Sequence, residues 1–213
     1  MPAPDQAQVN NDPRPHMIAI CRHIYARQLS DSAGGNLSVR MGERIYLTPR
    51  YMGSKYRWDI GPELISVLDL EGRVLEGPAV LSRESRTHLA LYQAIPRVGA
   101  VIHAHPRYVM AFACAELPLE PTTEYTRKFG TIGLIPETPA HSPELAHRVV
   151  EALLPQKEDL ARHALAVMLP YHGIVVAGRD LDDAYDTLER LAVSARVHIY
   201  RGILESMGQR VNE

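Results

Sequence analysis

Residues 98–106 have the sequence VGAVIHAHP, an apolar run that ends in two histidines and a proline. A short apolar run bounded by glycine and proline is typical of a buried strand. Because side chains along a strand alternate between its two faces, His103 and His105 project to the same side. Two imidazoles there can share one divalent metal ion. The alternative is that one ring is buried and the other lies on the rim of the sheet.

Helical and strand patterns alternate on both sides of this strand. Three helix starts carry capping signals, because Ser82, Ser142 before Pro143, and Asp180 are residue types that favour the N-cap. The patterns predict helices over residues 14–29, 82–95, 107–115, 142–154 and 180–207, and strands over residues 37–41, 44–48, 64–70, 74–75, 98–105, 131–135, 164–169 and 173–177. We therefore expect a single α/β domain over residues 14–213, preceded by a disordered leader over residues 1–13.

Composition excludes several classes of protein. The chain has 213 residues, 46% of them hydrophobic, which suits one domain with a sizeable core. A net charge of −2 argues against nucleic acid as a partner. Two cysteines cannot make a disulfide scaffold, and no apolar run approaches the ~20 residues needed to cross a bilayer. The polar, proline-rich start resembles neither a signal peptide nor an anchor. We expect a cytoplasmic protein with no membrane partner.

Two further positions extend the candidate metal site. His172 lies between two predicted strands, and Gly173 beside it permits close backbone approach. It is either a third metal ligand or a turn histidine that faces solvent. Glu84, in the first turn of a predicted helix, is a candidate metal ligand or general acid/base. Its alternative role is to stabilise the helix dipole and to pair with His88 one turn away.

Glycines and a few polar residues form a weaker signal after the first helix. Gly34, Gly35 and Asn36, followed by Ser38, can present backbone N–H groups to an anion. Glycine loops are common, so this pattern alone does not identify a site.

Taken in order, these motifs resemble the class II aldolase/adducin family. The resemblance rests on SAGGNLSVR at residues 32–40, SRE at 82–84, HAHP at 103–106, and HG at 172–173 before a long final helix. It implies a three-layer α/β/α domain with a central, largely antiparallel sheet, assembled as a homotetramer with active sites at subunit interfaces. The apolar Ala184–Ala195 face of the last helix also needs a packing partner.

The same resemblance implies roles for individual residues. His103, His105 and His172 would bind Zn²⁺, with Mn²⁺ or Co²⁺ as alternatives. Glu84 would be the catalytic carboxylate, and Tyr125 would reach a neighbouring subunit's site to protonate the aldehyde oxygen. The residues expected to hold the substrate's anionic group are Gly35, Asn36, Thr48, Ser82 and Arg83.

The implied activity is aldol cleavage or condensation of a sugar phosphate similar to fuculose 1-phosphate. Two departures from the family pattern leave the substrate open: Arg50 follows Thr48-Pro49, and Arg83 replaces the second serine of a pair. Either guanidinium can bind a phosphate or a carboxylate. The alternative is therefore a decarboxylase or dehydratase of a carboxylated hydroxy- or keto-acid. A 4-epimerase and a non-catalytic, adducin-like module are weaker alternatives, because position 84 is a glutamate and all three histidines are kept.

Overall fold

The computed structural model describes residues 12–209, in which helices surround one sheet. The predicted leader falls mainly on residues 1–11, which lie outside the described residues. The helices are α1 (Arg14–Ala26), α2 (Ser85–Ala94), α3 (Arg107–Ala115), α4 (Pro143–Leu153) and α5 (Leu181–Ser206). The strands are β1 (Asn36–Met41), β2 (Arg44–Leu47), β3 (Ser66–Leu68), β4 (Val74–Glu76), β5 (Ala100–Ala104), β6 (Leu165–Leu169) and β7 (Gly173–Gly178). Short 3₁₀ turns cover Pro62–Leu64, Glu124–Phe129, Leu154–Gln156 and Asp159–Ala161.

The strands form a single antiparallel sheet in the order β4-β3-β2-β1-β5-β7-β6. Strand β5 lies inside the sheet, between β1 and β7. Its register places Asn36 opposite His103 and Ser38 opposite Val101. The sheet therefore brings the glycine-asparagine segment directly beside the His-x-His strand.

Helices cover both faces of the sheet, which confirms the predicted three-layer α/β/α architecture. On one face Ile102 packs in a core that includes Met17 of α1, Phe112 of α3 and Leu188 of α5. On the other face Val101 packs in a second core that includes residues of α2 and α4. Because His103 follows Val101 by two positions, it points to the face covered by α2 and α4. No helix within residues 12–209 has the length and apolarity that crossing a membrane requires.

Two of the predicted caps are confirmed and one is wrong. The Ser142 side chain accepts from Leu145 N, and the Asp180 side chain accepts from Asp183 N. Helix α2 begins at Ser85 rather than at Ser82, and Glu84 occupies its N-cap position without a side-chain cap. The Ser82 hydroxyl instead accepts from Glu84 N at 3.3 Å. Residues 82–84 are thus held as a turn that ends in the candidate site.

Two other expectations need correction. The predicted strand 131–135 forms only isolated bridges, one of them between Leu134 and Met168 beside the edge strand β6. The apolar face of α5 is buried against its own sheet, because Ala184, Leu188 and Ala195 belong to the first core. That face therefore gives no support to the expected tetramer.

Candidate metal centre and active site

Three elements bring the predicted histidines together. His103 lies near the end of β5, His105 follows the strand, and His172 lies in the turn between β6 and β7. Gly173 makes this approach possible, since a Cβ at that position would lie 2.5 Å from the Ala104 carbonyl oxygen. The close approach predicted for Gly173 is therefore confirmed.

The three rings converge on one point. His103 and His105 place their Nε2 atoms 3.1 Å apart. One nitrogen from each of the three histidines lies within 4.8 Å of the others. The ring of His103 contacts that of His172 edge-on, with a centroid separation of 4.7 Å. This is the grouping that the sequence predicted for a metal site.

The hydrogen bonds of two of these rings show that their Nε2 atoms are free to bind a cation. His103 Nδ1 lies 3.2 Å from the Ile174 carbonyl, and His105 Nδ1 lies 3.2 Å from Asp31 Oδ1. Both partners accept, so both Nδ1 atoms carry a proton, and in the neutral form of each ring Nε2 presents a lone pair. Two lone pairs that face each other at 3.1 Å need a cation between them. The donor set fits a divalent metal that retains open coordination positions.

Burial favours the neutral form of His103 and His172, which is the form that binds a metal. It holds the pKa of His103 well below its ordinary value of 6.5, and the nearby His105 and His172 act in the same direction. Burial also lowers the pKa of His172, against the opposing effect of the Glu84 carboxylate.

Glu84 lies beside this cluster, as the sequence predicted. Glu84 is only 5% exposed, and its Oε1 lies 3.9 Å from His172 Nε2. Oε2 accepts from the Thr87 hydroxyl at 3.3 Å. A buried carboxylate at the edge of a metal centre is positioned to exchange a proton with a substrate bound there.

The partner of Glu84 is a histidine that sequence reasoning missed. His141 Nδ1 lies 2.5 Å from Glu84 Oε1, although 57 residues separate them in the chain. His88, the partner expected from spacing, is fully buried and bonds through Nδ1 to Ser38 Oγ at 2.7 Å. No sequence signal marked His141, because the contact depends on how the loop before α4 folds over α2.

A cavity of about 250 Å³ opens onto the histidines and Glu84. Four of the five residues expected to bind an anion line it, and these are Gly35, Asn36, Ser82 and Arg83. Gly35 has a φ of +97°, and a Cβ there would lie 2.5 Å from the Trp58 ring. Other lining residues are Ala33, Gly34, Arg50, Tyr51, Met52, Ser54 and His141.

Two polar atoms of this cavity lack a partner among residues 12–209. They are Asn36 Oδ1 and Arg50 Nε, and both are buried. A buried polar atom without a partner is costly unless a ligand or water satisfies it. Asn36 and Arg50 are thus lining residues that each carry a buried, unpartnered polar atom.

Two expected residues do not reach the cavity within one protomer. Thr48 is committed to the backbone of β1, because its hydroxyl accepts from Leu37 N at 3.0 Å and donates to Leu37 O at 3.2 Å. Tyr125 lies on the 3₁₀ turn Glu124–Phe129, is 41% exposed, and has Arg190 5.5 Å from its ring centre. Its predicted role involves a neighbouring subunit, so the single chain does not test that role.

Comparison with known proteins gives a consistent result across nearly the whole chain. Residues 15–199 match the family model described as the class II aldolase and adducin N-terminal domain. The chain is 35% identical over 191 residues to 3-oxo-tetronate 4-phosphate decarboxylase of Haemophilus influenzae, covering 85% of this chain and 84% of that protein. It is 32% identical over 182 residues to L-fuculose phosphate aldolase of Methanococcus maripaludis, covering 85% of this chain and 93% of that protein.

A solved structure supports the same fold. An L-fuculose 1-phosphate aldolase superimposes with a TM-score of 0.78 at 26% identity, covering 95% of this chain and 91% of the other.

Proposed function

The chain belongs to the class II aldolase and adducin family, whose enzymes are metal-dependent lyases, and we propose that it cleaves and forms a carbon–carbon bond in a ketose 1-phosphate similar to fuculose 1-phosphate. The observation that carries the proposal is the buried Glu84 carboxylate, 3.9 Å from His172 Nε2, in a cavity that Asn36, Ser82 and Arg83 also line. In this proposal one enclosure combines the metal ligands, the proton carrier and the anion site.

The chemistry divides between the metal and the side chains. When bound by His103, His105 and His172, a zinc, manganese or cobalt ion would act as a Lewis acid toward the substrate's oxygens. Glu84 then moves the proton at the substrate carbon that gains the electron pair when the C3–C4 bond breaks. Enclosure of Glu84 by protein strengthens its interaction with that carbon and excludes bulk water.

The anionic end of the substrate would lie against the glycine-asparagine turn. Gly35 allows the backbone to approach closely, and Asn36 and Ser82 offer polar side chains from two different elements. The guanidinium of Arg83 adds a charged donor suited to phosphate. Thr48 is left out of this proposal, because its hydroxyl is occupied by Leu37.

A homotetramer in the cytoplasm belongs to the same proposal. Tyr125 is exposed, so it is available to enter the site of a neighbouring subunit and to donate a proton to the aldehyde oxygen. Co-expression of Tyr125→Phe and Glu84→Gln chains tests this arrangement, because mixed assemblies contain some sites with neither substitution. Activity above that of either variant alone is expected. If light scattering shows a monomer, or co-expression restores nothing, the shared site is wrong.

A second candidate is decarboxylation of a phosphorylated keto-acid, with dehydration as a related alternative. Arg50 and Arg83 both line the cavity, and the buried Nε of Arg50 has no partner among the described residues. Two guanidinium groups suit a substrate that carries a carboxylate as well as a phosphate.

A substrate comparison separates the two candidates. The purified protein, loaded in turn with zinc, manganese and cobalt, is assayed with L-fuculose 1-phosphate and with 3-oxo-tetronate 4-phosphate. The first proposal expects an aldehyde product, whereas carbon dioxide from the keto-acid alone would establish the second. Turnover of neither substrate contradicts both.

Arg83→Ser tests whether the cavity wall binds the substrate's anion. Loss of one charge-assisted hydrogen bond costs about 1.5–3 kcal/mol, so KM should rise roughly 10- to 100-fold. Arg22→Ser is the matched control, since Arg22 is exposed and pairs with Asp59 away from the cavity. An unchanged KM for Arg83→Ser would remove Arg83 from the site.

A further inference from the structure

We infer that His141 is the positioning residue for Glu84: its Nδ1–H holds the carboxylate in the orientation that proton transfer requires. The inference rests on the proposed function, because it assigns a partner to the carboxylate of that reaction. Its basis is the 2.5 Å contact between His141 Nδ1 and Glu84 Oε1.

The Glu84 carboxylate has few other polar contacts that could fix its orientation. Glu84 is at the N-cap of α2 but its side chain caps nothing, and the Thr87 hydroxyl bonds only to Oε2, at 3.3 Å. His172 Nε2 is 3.9 Å away, beyond hydrogen-bond distance. The contact with His141 is therefore the shortest polar contact of this carboxylate within residues 12–209.

The backbone at His141 is strained in a way that favours this contact. His141 has a φ of +66°, a left-handed conformation that costs roughly 1–2 kcal/mol for a residue other than glycine. The cost is not needed to start α4, because Ser142 caps that helix through its own side chain. The left-handed turn lies at the residue whose ring contacts Glu84.

The support behind His141 is rigid. Pro143 fixes the first residue of α4, and Ser142 N donates to the Pro139 carbonyl at 3.3 Å. Residues of α2 and α4, including Leu91, Leu145 and Val149, are buried in one shared core. A hydrogen bond between these two helix starts therefore links elements that cannot easily move apart.

His141 also connects the carboxylate to the cavity. Its side chain is 30% exposed and lines the cavity, whereas the Glu84 side chain is 6% exposed. Because Glu84 accepts from Nδ1, the Nε2 atom of His141 remains available to water or substrate. The imidazole ring of His141 thus links the buried Glu84 carboxylate to the cavity.

The test compares three substitutions. His141→Leu removes the donor. His141→Asn keeps an N–H near the position of Nδ1 and suits a left-handed backbone. His147→Leu removes an exposed histidine of α4, the helix that begins just after His141, as a control. We expect His141→Leu to lower kcat roughly 10- to 100-fold with KM changed by less than about threefold, as is usual for residues that support an active-site ligand. His141→Asn should recover most of the loss, and all three variants should bind the parent's amount of zinc.

A double substitution decides whether His141 acts through Glu84. In the Glu84→Gln background, adding His141→Leu should lower kcat no further, because the two residues act as a unit. An additional loss as large as that of His141→Leu alone would show independent roles and overturn the inference. Loss of zinc from His141→Leu would also overturn it, by making His141 a metal ligand.

A readout without turnover separates this inference from the proposed function. In protein labelled with ¹⁵N-histidine, the His141 Nδ1 proton should give a strongly downfield NMR signal. That signal should be present in the parent and in His147→Leu, shifted in Glu84→Gln, and absent from His141→Leu. Its absence from the parent overturns the inference. A parent that shows the signal but turns over neither test substrate overturns the proposed function and leaves the hydrogen bond established.

Discussion

On the sheet face covered by α2 and α4, Asn36 and His103 form one cross-strand row, and Ser38 and Val101 form the next row inward. Each row belongs to a buried histidine cluster. The open cluster consists of His103, His105, His172 and Glu84 and faces the cavity. The closed cluster consists of Ser38, His88 and Tyr92, which line no part of that cavity. Along β1, two residues separate a cluster that faces a cavity from one that is enclosed in the core.

The difference lies in where the polar atoms point. In the closed cluster, Ser38 Oγ bonds to His88 Nδ1 at 2.7 Å and to Tyr92 Oη at 2.8 Å. In the open cluster, two Nε2 lone pairs face each other at the edge of a cavity. Burial alone therefore does not mark a functional histidine. Its lone pair must be directed at a space that a ligand can enter.

Metal removal should have the largest effect, because it should abolish the function of the open cluster and leave the closed cluster intact. Dialysis against a chelator should lower turnover by roughly 10³-fold or more, because the cation supplies several kcal/mol of transition-state stabilisation. Added zinc, manganese or cobalt should restore it. Circular dichroism should show an intact fold throughout, since hydrogen bonds among its own side chains hold the closed cluster together. Full activity in chelator-treated, metal-free protein would contradict this division.

Glu84→Gln should have the next largest effect. Loss of the proton carrier is expected to lower kcat about 10²- to 10⁴-fold, with metal content unchanged. Steady-state kinetics and elemental analysis of the same preparation measure both quantities. Glu63→Gln, at an exposed 3₁₀ turn, is the matched control and should retain parental activity. Equal kinetics for Glu84→Gln and the parent would remove the carboxylate from the reaction.

Ser38→Ala should act on stability rather than on turnover. It leaves two buried partners, His88 and Tyr92, without their shared hydrogen bonds, which should cost about 2–4 kcal/mol in the free energy of unfolding. Urea denaturation measures the loss, and Ser206→Ala at the exposed C-terminal end of α5 serves as the control. We expect kcat within about threefold of the parent. A large fall in kcat with unchanged stability would mean that the closed cluster is not structural.

Acid should lower the free energy of unfolding gradually, through His88 in the closed cluster. Burial lowers the pKa of His88 to about 3, from 6.5 in the unfolded chain. As pH falls below 6.5, the unfolded chain therefore binds a proton that the folded chain does not, and stability is lost. His88 should contribute a loss of about 1 kcal/mol per pH unit between pH 6.5 and pH 3. His88→Asn, which keeps a polar group toward Ser38, should show a shallower decline in urea denaturation of the metal-free protein. Parallel declines for the two proteins would refute this assignment.

The sequence was sufficient for features that depend on local pattern. Strand alternation predicted that His103 and His105 share a side, and local residue types predicted the caps at Ser142 and Asp180. The three layers and the full set of three histidines were implied by the resemblance to the family. Spacing failed where a contact joins distant segments. It paired Glu84 with His88 at i, i+4, whereas the Glu84 side chain turns into the cavity from the N-cap position and meets His141. Thr48 was expected at the anion site, but backbone groups of Leu37 take up its hydroxyl.

Metal stoichiometry in matched variants tests most directly whether the open cluster is a metal centre. Elemental analysis is applied to gently purified parent protein, to His103→Asn and to His88→Asn. We predict about one divalent ion per chain in the parent and in His88→Asn, and almost none in His103→Asn. A parent chain that contains no metal and takes up neither zinc, manganese nor cobalt would contradict the account, as would equal metal content in all three proteins.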